Sequence, residues 1–362
     1  MAFKKNVVKV DLCSYPPYIL LAPKKFGKTT FWYNLVPKVW GDDDKGLLIS
    51  FGNEEGYHSL DSLQYEVAKE WDADYDEETG LRGFVQIVDD LIENNDQYGI
   101  KGVCFDTLDT MIDVATAEVL RQHRKEKGTV CKSLLDAFSG YGRGKARLLK
   151  ICNEQIERLR SAGMAVFILC HIKNKEKTDL QSGEKYEQIT NNLNDDIYSN
   201  FADSAQMVMV GAFDREIVNG KLIDEKRTLY LRGNSQIDAG GRFTDIPEKI
   251  DLDVDQFMDA FEMGVKNSLR DGKADLNKMK KAEAKEREKT AQIAKKREKE
   301  DKVDPDRNAE LIDDYTEKFL AMEDGEQKQK IKNEMKSLGL KNFDGLIDLP
   351  TAQVEGFLPL FE

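Results

Sequence analysis

The chain contains 362 residues with a formal net charge of −13 and a charged fraction of 33%, a length that suits one large α/β domain and a smaller unit. It shows neither a secretion signal nor an uninterrupted apolar run of about 18 residues, so we expect a cytoplasmic protein with no membrane partner. The five cysteines lack CxxC spacing, which argues against structural zinc and disulfides. The negative charge argues against a uniformly basic nucleic-acid-binding surface, but not against a local basic groove.

The first predicted strand leads into a loop with the composition of a phosphate-binding loop. Residues 17–21 are a short apolar run, and residues 29–39 have the apolar spacing of a helix. The loop and the start of this helix consist of Ala22, Pro23, Lys24, Lys25, Phe26, Gly27, Lys28, Thr29 and Thr30. In such a loop, backbone N–H groups surround phosphate oxygens, the lysine neutralises the β- and γ-phosphates, and the threonine hydroxyl binds Mg²⁺.

Ala22 stands where this kind of loop usually has its first glycine, which requires that its φ stays negative or that mild strain is tolerated. A chance Gly-Lys-Thr at a helix start is the alternative interpretation. The strand before the loop and the helix after it favour the phosphate loop. The sequence therefore predicts a nucleotide-binding protein with ATP and Mg²⁺ as cofactors.

Polar residues follow three further predicted strands. They are Glu54 and Glu55 after 46–51, Asp106 after 103–105, and His171 after 165–170. Ligands of open parallel sheets bind at the carboxyl ends of the strands. We therefore expect Asp106 to orient Mg²⁺, one glutamate to polarise the attacking water, and the His171 imidazole to contact the γ-phosphate. The alternatives are a turn or helix cap, a solvated acidic loop and a polar strand cap, respectively.

Helical patterns such as 83–94 and 145–162 separate most of these strands, and another apolar run follows at 205–211. Strands that are apolar on both faces and alternate with helices predict an α/β fold with a mainly parallel sheet covered by helices. Residues 213–218 and 226–232, with an Asn-Gly pair between them, predict an antiparallel hairpin at the sheet edge.

The composition changes toward the C-terminus. Residues 273–302 contain 12 Lys and Arg against 7 Asp and Glu without a large apolar stripe, which is typical of a solvated helix, and Pro305 ends it. Apolar residues return at helical spacing over 308–362. We predict an ATPase core over residues 1–263, a charged helical linker over 264–307, and a small α-helical C-terminal module over 308–362 that can dock a partner.

Six short stretches give the chain a resemblance to a known family. They are 22–30, 54–60, 104–107, 140–144, 168–171 and 240–247. On these stretches, residues 10–263 resemble the RecA-like core ATPases of bacteriophages, of the single-strand annealing or recombination type. These proteins are also described as phage nucleotide-binding proteins and are distant relatives of RecA and RadA. The resemblance implies a RecA-like P-loop NTPase core and a location in the host cytoplasm.

The resemblance also implies roles for individual residues. Glu54, rather than Glu55, falls where the family has its water-activating glutamate. His171 falls at the polar γ-phosphate sensor, which with Lys28 and Glu54 completes the catalytic set. Arg242 falls near an arginine that reaches nucleotide, either its own or that of a neighbouring subunit in a homo-oligomer.

In RecA-like proteins, the segments after the second and third chemical strands face the DNA channel. Here these segments lie within 121–150 and 173–200, at predicted loop positions. The candidate DNA contacts are Tyr141, Arg143, Lys145, Lys173 and Lys175. Basic and aromatic residues suit phosphate neutralisation and base stacking, although a solvated helix face is the alternative for each segment.

The leading hypothesis is an ATP-binding and ATP-hydrolysing protein that acts as an oligomer on single-stranded DNA in phage recombination or replication. The alternative is a non-catalytic, nucleotide-gated assembly protein whose C-terminal helices dock a replication or recombination partner. Ala22 and the negative charge favour this alternative. A small-molecule phosphotransferase would need a lid, and no lid signature is evident.

Overall fold

The computed structural model describes residues 17–52, 56–179, 181–219, 221–243, 245–268, 276–322, 325–340 and 342–361. The chain divides into two compact units, Met1–Glu288 and Lys289–Glu362. Within the described ranges, no helix is both long and apolar enough to cross a lipid bilayer.

A mostly parallel sheet forms the centre of the larger unit. Its strands are β1 (Tyr18–Ala22), β2 (Gly46–Phe51), β3 (Tyr65–Ala68), β4 (Gly102–Asp106), β5 (Ala165–Thr178), β6 (Lys185–Asn191), β7 (Met207–Val218), β8 (Lys221–Tyr230), β9 (Gly240–Gly241) and β10 (Lys249–Asp251). The strand order is β10-β8-β7-β1-β5-β4-β2-β3, with β6 beside β5 and β9 beside β7. The strands from β7 to β3 in this order run parallel. The predicted α/β fold with a mainly parallel sheet is therefore confirmed.

Helices cover both faces of this sheet. These helices are α1 (Lys28–Trp40), α2 (Phe84–Tyr98), α3 (Leu108–Lys127), α4 (Arg143–Ser161), α5 (Asp195–Ser204) and α6 (Val254–Ser268). Further along the described chain follow α7 (Leu276–Asp301), α8 (Pro305–Ala321), α9 (Glu326–Ser337) and α10 (Thr351–Glu355). Successive side chains of a strand point to opposite faces. Ile19 and Leu21 accordingly pack with α2, α3 and α4, whereas Tyr18 and Leu20 pack with α1 and α6.

Strand β5 is longer than predicted, because it changes partners along its length. As far as His171 it pairs in parallel with β1. From Ile172 to Thr178 it pairs antiparallel with β6 in an outlying hairpin. The prediction of a loop within 173–200 is therefore wrong, since a polar hairpin satisfies its backbone by strand pairing without needing apolar faces. Much of 121–150 is also helical, because α3 and α4 extend into it.

The predicted hairpin near the sheet edge is confirmed as β7 and β8, which pair antiparallel. Asn219 takes a φ of 51° at its turn, a conformation that asparagine tolerates better than most residues. Strand β10 lies outside β8 and follows the same antiparallel pattern. Helix α6 then continues to Ser268, and Val265 is buried against the sheet, so core packing extends beyond residue 263.

The smaller unit has its own apolar cluster, in which α8, α9 and α10 surround Tyr315. The Tyr315 hydroxyl donates to the Val354 carbonyl at 2.9 Å. The fully buried Asn308 amide donates to the carbonyls of Ile347 at 3.0 Å and Leu349 at 2.9 Å. These bonds join α8 to α10 and to the irregular segment before it, where regular backbone pairing is lacking.

Candidate nucleotide-binding site

The loop that follows β1 has the backbone of a phosphate-binding loop. Gly27 has a φ of 107° immediately before α1, in a region where L side chains are strained. Ala22 is still part of β1, where its extended backbone pairs with His171 and its side chain is fully buried. The position usually held by the first glycine therefore needs no left-handed backbone here, and alanine occupies it without strain.

Phe26 anchors the loop to the sheet. Its side chain is fully buried and packs edge-on against Phe213, with ring centroids 5.3 Å apart. A Cβ on Gly211 would lie 2.3 Å from the Phe26 ring, so β7 makes room for the ring only because it has glycine at this position. The exposed Lys24 and Lys25 lie on the solvent side of the same loop.

The first turn of α1 carries the residues for phosphate and metal. Lys28 is only 7% exposed, and its Nζ donates to the carbonyls of Ala22 at 3.2 Å and Pro23 at 3.1 Å. The Thr29 hydroxyl donates to Asp106 Oδ2 at 2.8 Å. The fold thus brings together the predicted hydroxyl, which follows β1, and the predicted carboxylate at the end of β4, because only β5 separates these two strands.

Hydroxyl and carboxylate oxygens are ligands that Mg²⁺ prefers, and Mg²⁺ usually completes its coordination with water and substrate phosphates. The pair of Thr29 and Asp106 fits this pattern. In the described part of the chain, no group of three or more His, Cys, Asp or Glu side chains could hold a metal by itself. A Mg²⁺ ion at this pair would shield the charge of the β- and γ-phosphates.

His171 lies beside the phosphate loop and has Asp109 as its partner. Asp109 Oδ2 accepts hydrogen bonds from the His171 backbone N–H at 2.9 Å and from Nδ1 at 3.2 Å. Burial tends to raise the pKa of Asp109, but the bonds from His171 outweigh it and hold this pKa below its ordinary 3.8. The ionised carboxylate has no proton to give, so Nδ1 donates to it, and Nε2 is the ring nitrogen left for a ligand.

Asp109 was not assigned a role from the sequence. Its spacing of three residues from Asp106 places it in the first turn of α3, and only the packing of α3 against β5 brings it to His171. Glu54, the predicted water-activating residue, lies outside the described residues. Strand β2, which precedes it, pairs Ser50 with Asp106. The chain therefore leaves β2 at the carboxyl end of the parallel strands, where Asp106 also lies.

Arg242 lies at the end of the sheet where the parallel strands begin, whereas the phosphate loop lies at the end where they finish. Arg242 follows β9, where Gly241 pairs with Met207, and Met207 in turn pairs with Tyr18 at the start of β1. Its guanidinium donates to the Asp203 carbonyl at 3.2 Å. The predicted contact with the nucleotide of its own subunit is therefore wrong, because the length of β1 lies between them. A contact with a neighbouring subunit's nucleotide stays a prediction.

Arg227 lies near the phosphate loop instead. Its Nη1 is 3.5 Å from the position that a Cβ on Gly27 would take. Sequence reasoning missed this residue, because it belongs to strand β8, far along the chain, and no motif marks it. Only the return of the β7–β8 hairpin past β1 brings it to the loop.

The two basic segments that were predicted to bind DNA meet at the start of α5. Lys145 donates to Asp196 at 2.8 Å, and Lys175 and Lys177 both pair with Asp195. Tyr141 is 98% exposed just before α4, and the Arg143 and Lys173 side chains are exposed as well. The five candidate contacts thus lie on two segments joined by ion pairs to one helical turn.

A parallel sheet with a phosphate loop after β1 and a Thr–Asp pair beside it defines a P-loop nucleoside triphosphatase. A protein-family profile described as an AAA domain matches residues 15–243. Because this span is more than half of the chain, the protein belongs to this AAA-domain family, which implies nucleotide binding and ATPase activity. P-loop AAA ATPases typically use ATP and Mg²⁺. No curated protein matches the chain.

Proposed function

We propose that this protein hydrolyses ATP with Mg²⁺ and couples the state of the bound nucleotide to single-stranded DNA binding, as a homo-oligomer, in phage recombination or replication. The observation that carries this proposal is that β5 runs from beside the phosphate loop into the basic hairpin with β6. His171 pairs with Ala22 beside the phosphate loop, and from Ile172 the same strand forms the hairpin with Lys173 and Lys175. A shift at the phosphate loop can thus reach a basic surface through one continuous strand.

Each step of the proposed hydrolysis is assigned to residues of this chain. Lys28 and the pair of Thr29 and Asp106 hold the phosphates, and Glu54 polarises the attacking water. The His171 imidazolium, held by Asp109 through Nδ1, donates from Nε2 to a γ-phosphate oxygen. Loss of the γ-phosphate removes that contact, so the two nucleotide states favour different positions of β5.

The basic and aromatic side chains around the start of α5 form the proposed DNA surface. Arg143 and Lys173 are exposed and suit backbone phosphates, and Tyr141 suits base stacking. The resemblance to phage RecA-like ATPases adds support, because those proteins bind DNA through the segments that follow the corresponding strands.

The test compares ATP turnover with and without single-stranded DNA in the wild type and in the Lys28→Ala and Glu54→Gln variants. We expect DNA to raise turnover in the wild type only, and Glu54→Gln to keep nucleotide binding. Glu55→Gln is the matched control and should behave as wild type. Turnover that is insensitive to DNA would contradict the coupling, and nucleotide binding without turnover under any condition would contradict the enzyme.

The alternative function is a non-catalytic, nucleotide-gated assembly protein that docks a replication or recombination partner through its C-terminal helices. Two observations favour it. Asp195 and Asp196 already pair with Lys175 and Lys145, and the chain carries a net charge of −13. A nucleotide-dependent change in oligomeric mass without turnover would support this alternative.

A further inference from the structure

A cleft lies beside the phosphate loop along one side of α1. Its volume is about 520 Å³, which is within the range of about 300–1,000 Å³ typical of small-molecule sites. Gly27 lies in its lining, together with Tyr33 and Asn34 of α1. The segment Leu252 to Asp255, between β10 and α6, forms the other wall.

Leu252 and Arg227 are held together at the phosphate-loop end of this cleft. The Leu252 backbone N–H donates to the Arg227 carbonyl at 2.9 Å. Their side chains flank Gly27, since a Cβ on Gly27 would lie 3.4 Å from Leu252 Cδ2 and 3.5 Å from Arg227 Nη1. These distances are those of ordinary van der Waals contact, so the two side chains enclose Gly27 without crowding it.

The polar groups of the cleft differ in what they already bind. Asp253 caps α6, because its Oδ1 accepts from the Gln256 backbone N–H at 2.9 Å, and Asp255 pairs with Lys38 at 2.7 Å. The Arg227 side chain is exposed and makes no ion pair with the described residues. A guanidinium is well suited to phosphate oxygens, because it can donate two parallel hydrogen bonds.

We propose that this cleft is the nucleoside subsite of the bound nucleotide and that Arg227 binds the phosphate nearest the ribose. The inference rests on the proposed ATP-binding function. Phosphates held at the start of α1 place the ribose and base next to Gly27, where the cleft begins. Leu252 supplies an apolar wall for the base, and the exposed Asn34 amide supplies a donor and an acceptor for its polar edge.

The test measures the affinities of the full-length protein for ATP and for inorganic tripolyphosphate, both with Mg²⁺, by calorimetry. Asn34→Ala and Leu252→Ala should weaken ATP binding about tenfold and leave tripolyphosphate binding unchanged, because each removes a nucleoside contact without adding bulk beside Gly27. Arg227→Ala should weaken both ligands about tenfold or more, and Arg227→Lys should restore part of the loss. Asn34→Ala is placed on an exposed helical position, where alanine favours folding.

Asn153→Ala provides a matched control, because it removes an exposed helical asparagine from α4 on the opposite face of the sheet. It should leave both affinities unchanged. If the Asn34 and Leu252 variants bind ATP with wild-type affinity while Lys28→Ala still abolishes binding, the subsite is overturned. The proposed function is not affected by that result. Failure of the wild type to bind either ligand would overturn both the subsite and the proposed function.

Discussion

The Ala22 side chain is fully buried at the end of β1, where the backbone is extended. The positive φ values that glycine allows are therefore not needed at this position. We predict that Ala22→Gly leaves ATP affinity and turnover unchanged but lowers the free energy of unfolding by about 1–2 kcal/mol, because it removes a buried methyl group and adds backbone entropy to the unfolded chain. Urea unfolding and steady-state turnover measure the two effects.

Gly27→Ala provides the contrast, because it forces a side chain onto a φ of 107° and toward Leu252 and Arg227. This variant should lose most nucleotide affinity. A rise in turnover in Ala22→Gly would contradict the prediction and would mean that the alanine restrains the loop.

Asp109 orients His171 and also contributes to stability. Its pKa is lowered from 3.8, so its stabilising bonds are fully present above that pH and are lost as the pH falls below it. We predict that Asp109→Asn is less stable than wild type by about 1–3 kcal/mol at pH 7. The difference in unfolding free energy between the two proteins should shrink in urea titrations at about pH 3.

The same variant should keep its ATP affinity and lose turnover, up to about 100-fold, because the imidazole is no longer held in one orientation. His171→Gln offers a comparison that keeps a donor without the ionisable ring. Unchanged turnover in Asp109→Asn would show that the His171 orientation does not matter for hydrolysis.

The sequence predicts some residues of the candidate site and not others, for physical reasons. Lys28, Thr29 and Asp106 follow from local patterns, because a loop between a strand and a helix fixes where their side chains lie. Asp109 and Arg227 act through contacts between distant elements, and no local pattern encodes those contacts.

The hairpin of β5 and β6 carries basic side chains that are partly neutralised within the molecule. Hydrogen bonds from Lys175 and Lys177 lower the pKa of Asp195, so this carboxylate is ionised at neutral pH. We predict that Asp195→Asn strengthens single-stranded DNA binding severalfold and steepens its salt dependence, because it removes the negative charge that neutralises Lys175 and Lys177. Fluorescence anisotropy with a labelled oligonucleotide over a salt series measures both quantities.

Glu187→Gln makes the same change of charge on β6, at an exposed side chain, and is the matched control. It should raise affinity only slightly. Equal effects of the two substitutions would indicate a general change of net charge rather than contacts by Lys175 and Lys177.

Elements were predictable where burial dictates composition. Strand β2 has the bounds that the apolar run predicts, Gly46–Phe51, because every residue in it is buried. The outer half of β5 was missed, because its side chains alternate in exposure around a polar sequence and its stability comes from pairing with β6. Short β3 was missed for the same reason, since its first residue is exposed.

For the assembled molecule, the position of Arg242 makes a specific prediction. Because it lies at the end of the sheet away from its own phosphate loop, Arg242 could reach a nucleotide only in the proposed homo-oligomer, at a neighbouring subunit. We predict that Arg242→Ala and Lys28→Ala are each inactive but regain about a quarter of wild-type turnover when mixed in equal amounts, because about a quarter of random interfaces combine an intact arginine with an intact loop.

The measurement is ATP turnover across a range of mixing ratios, with the oligomeric mass checked by light scattering. The Arg242→Lys variant tests whether the charge alone suffices. Full activity of Arg242→Ala on its own would remove Arg242 from the catalytic machinery.

The sequence predicts the general architecture of the larger unit because strands that are apolar on both faces require helices on both sides. It does not predict where the unit ends. Gly264 approaches Phe243 and Ile246 closely, so α6 belongs to the packed core although its surface is charged. Composition changes only after this helix, from residue 273, so neither that change nor the predicted boundary at residue 263 marks the end of the packed helix.

The hydrogen bonds of Lys28 have a consequence for anion selectivity. Its Nζ is held by the carbonyls of Ala22 and Pro23, so any phosphate must compete with two main-chain acceptors for this cation. A single inorganic phosphate offers few contacts in return and should compete poorly. A polyphosphate chain also engages the backbone N–H groups and the Thr29 side chain at the same time. The lysine's internal bonds therefore weaken the binding of every anion, so that only ligands with further contacts, such as long polyphosphates, bind well at the loop.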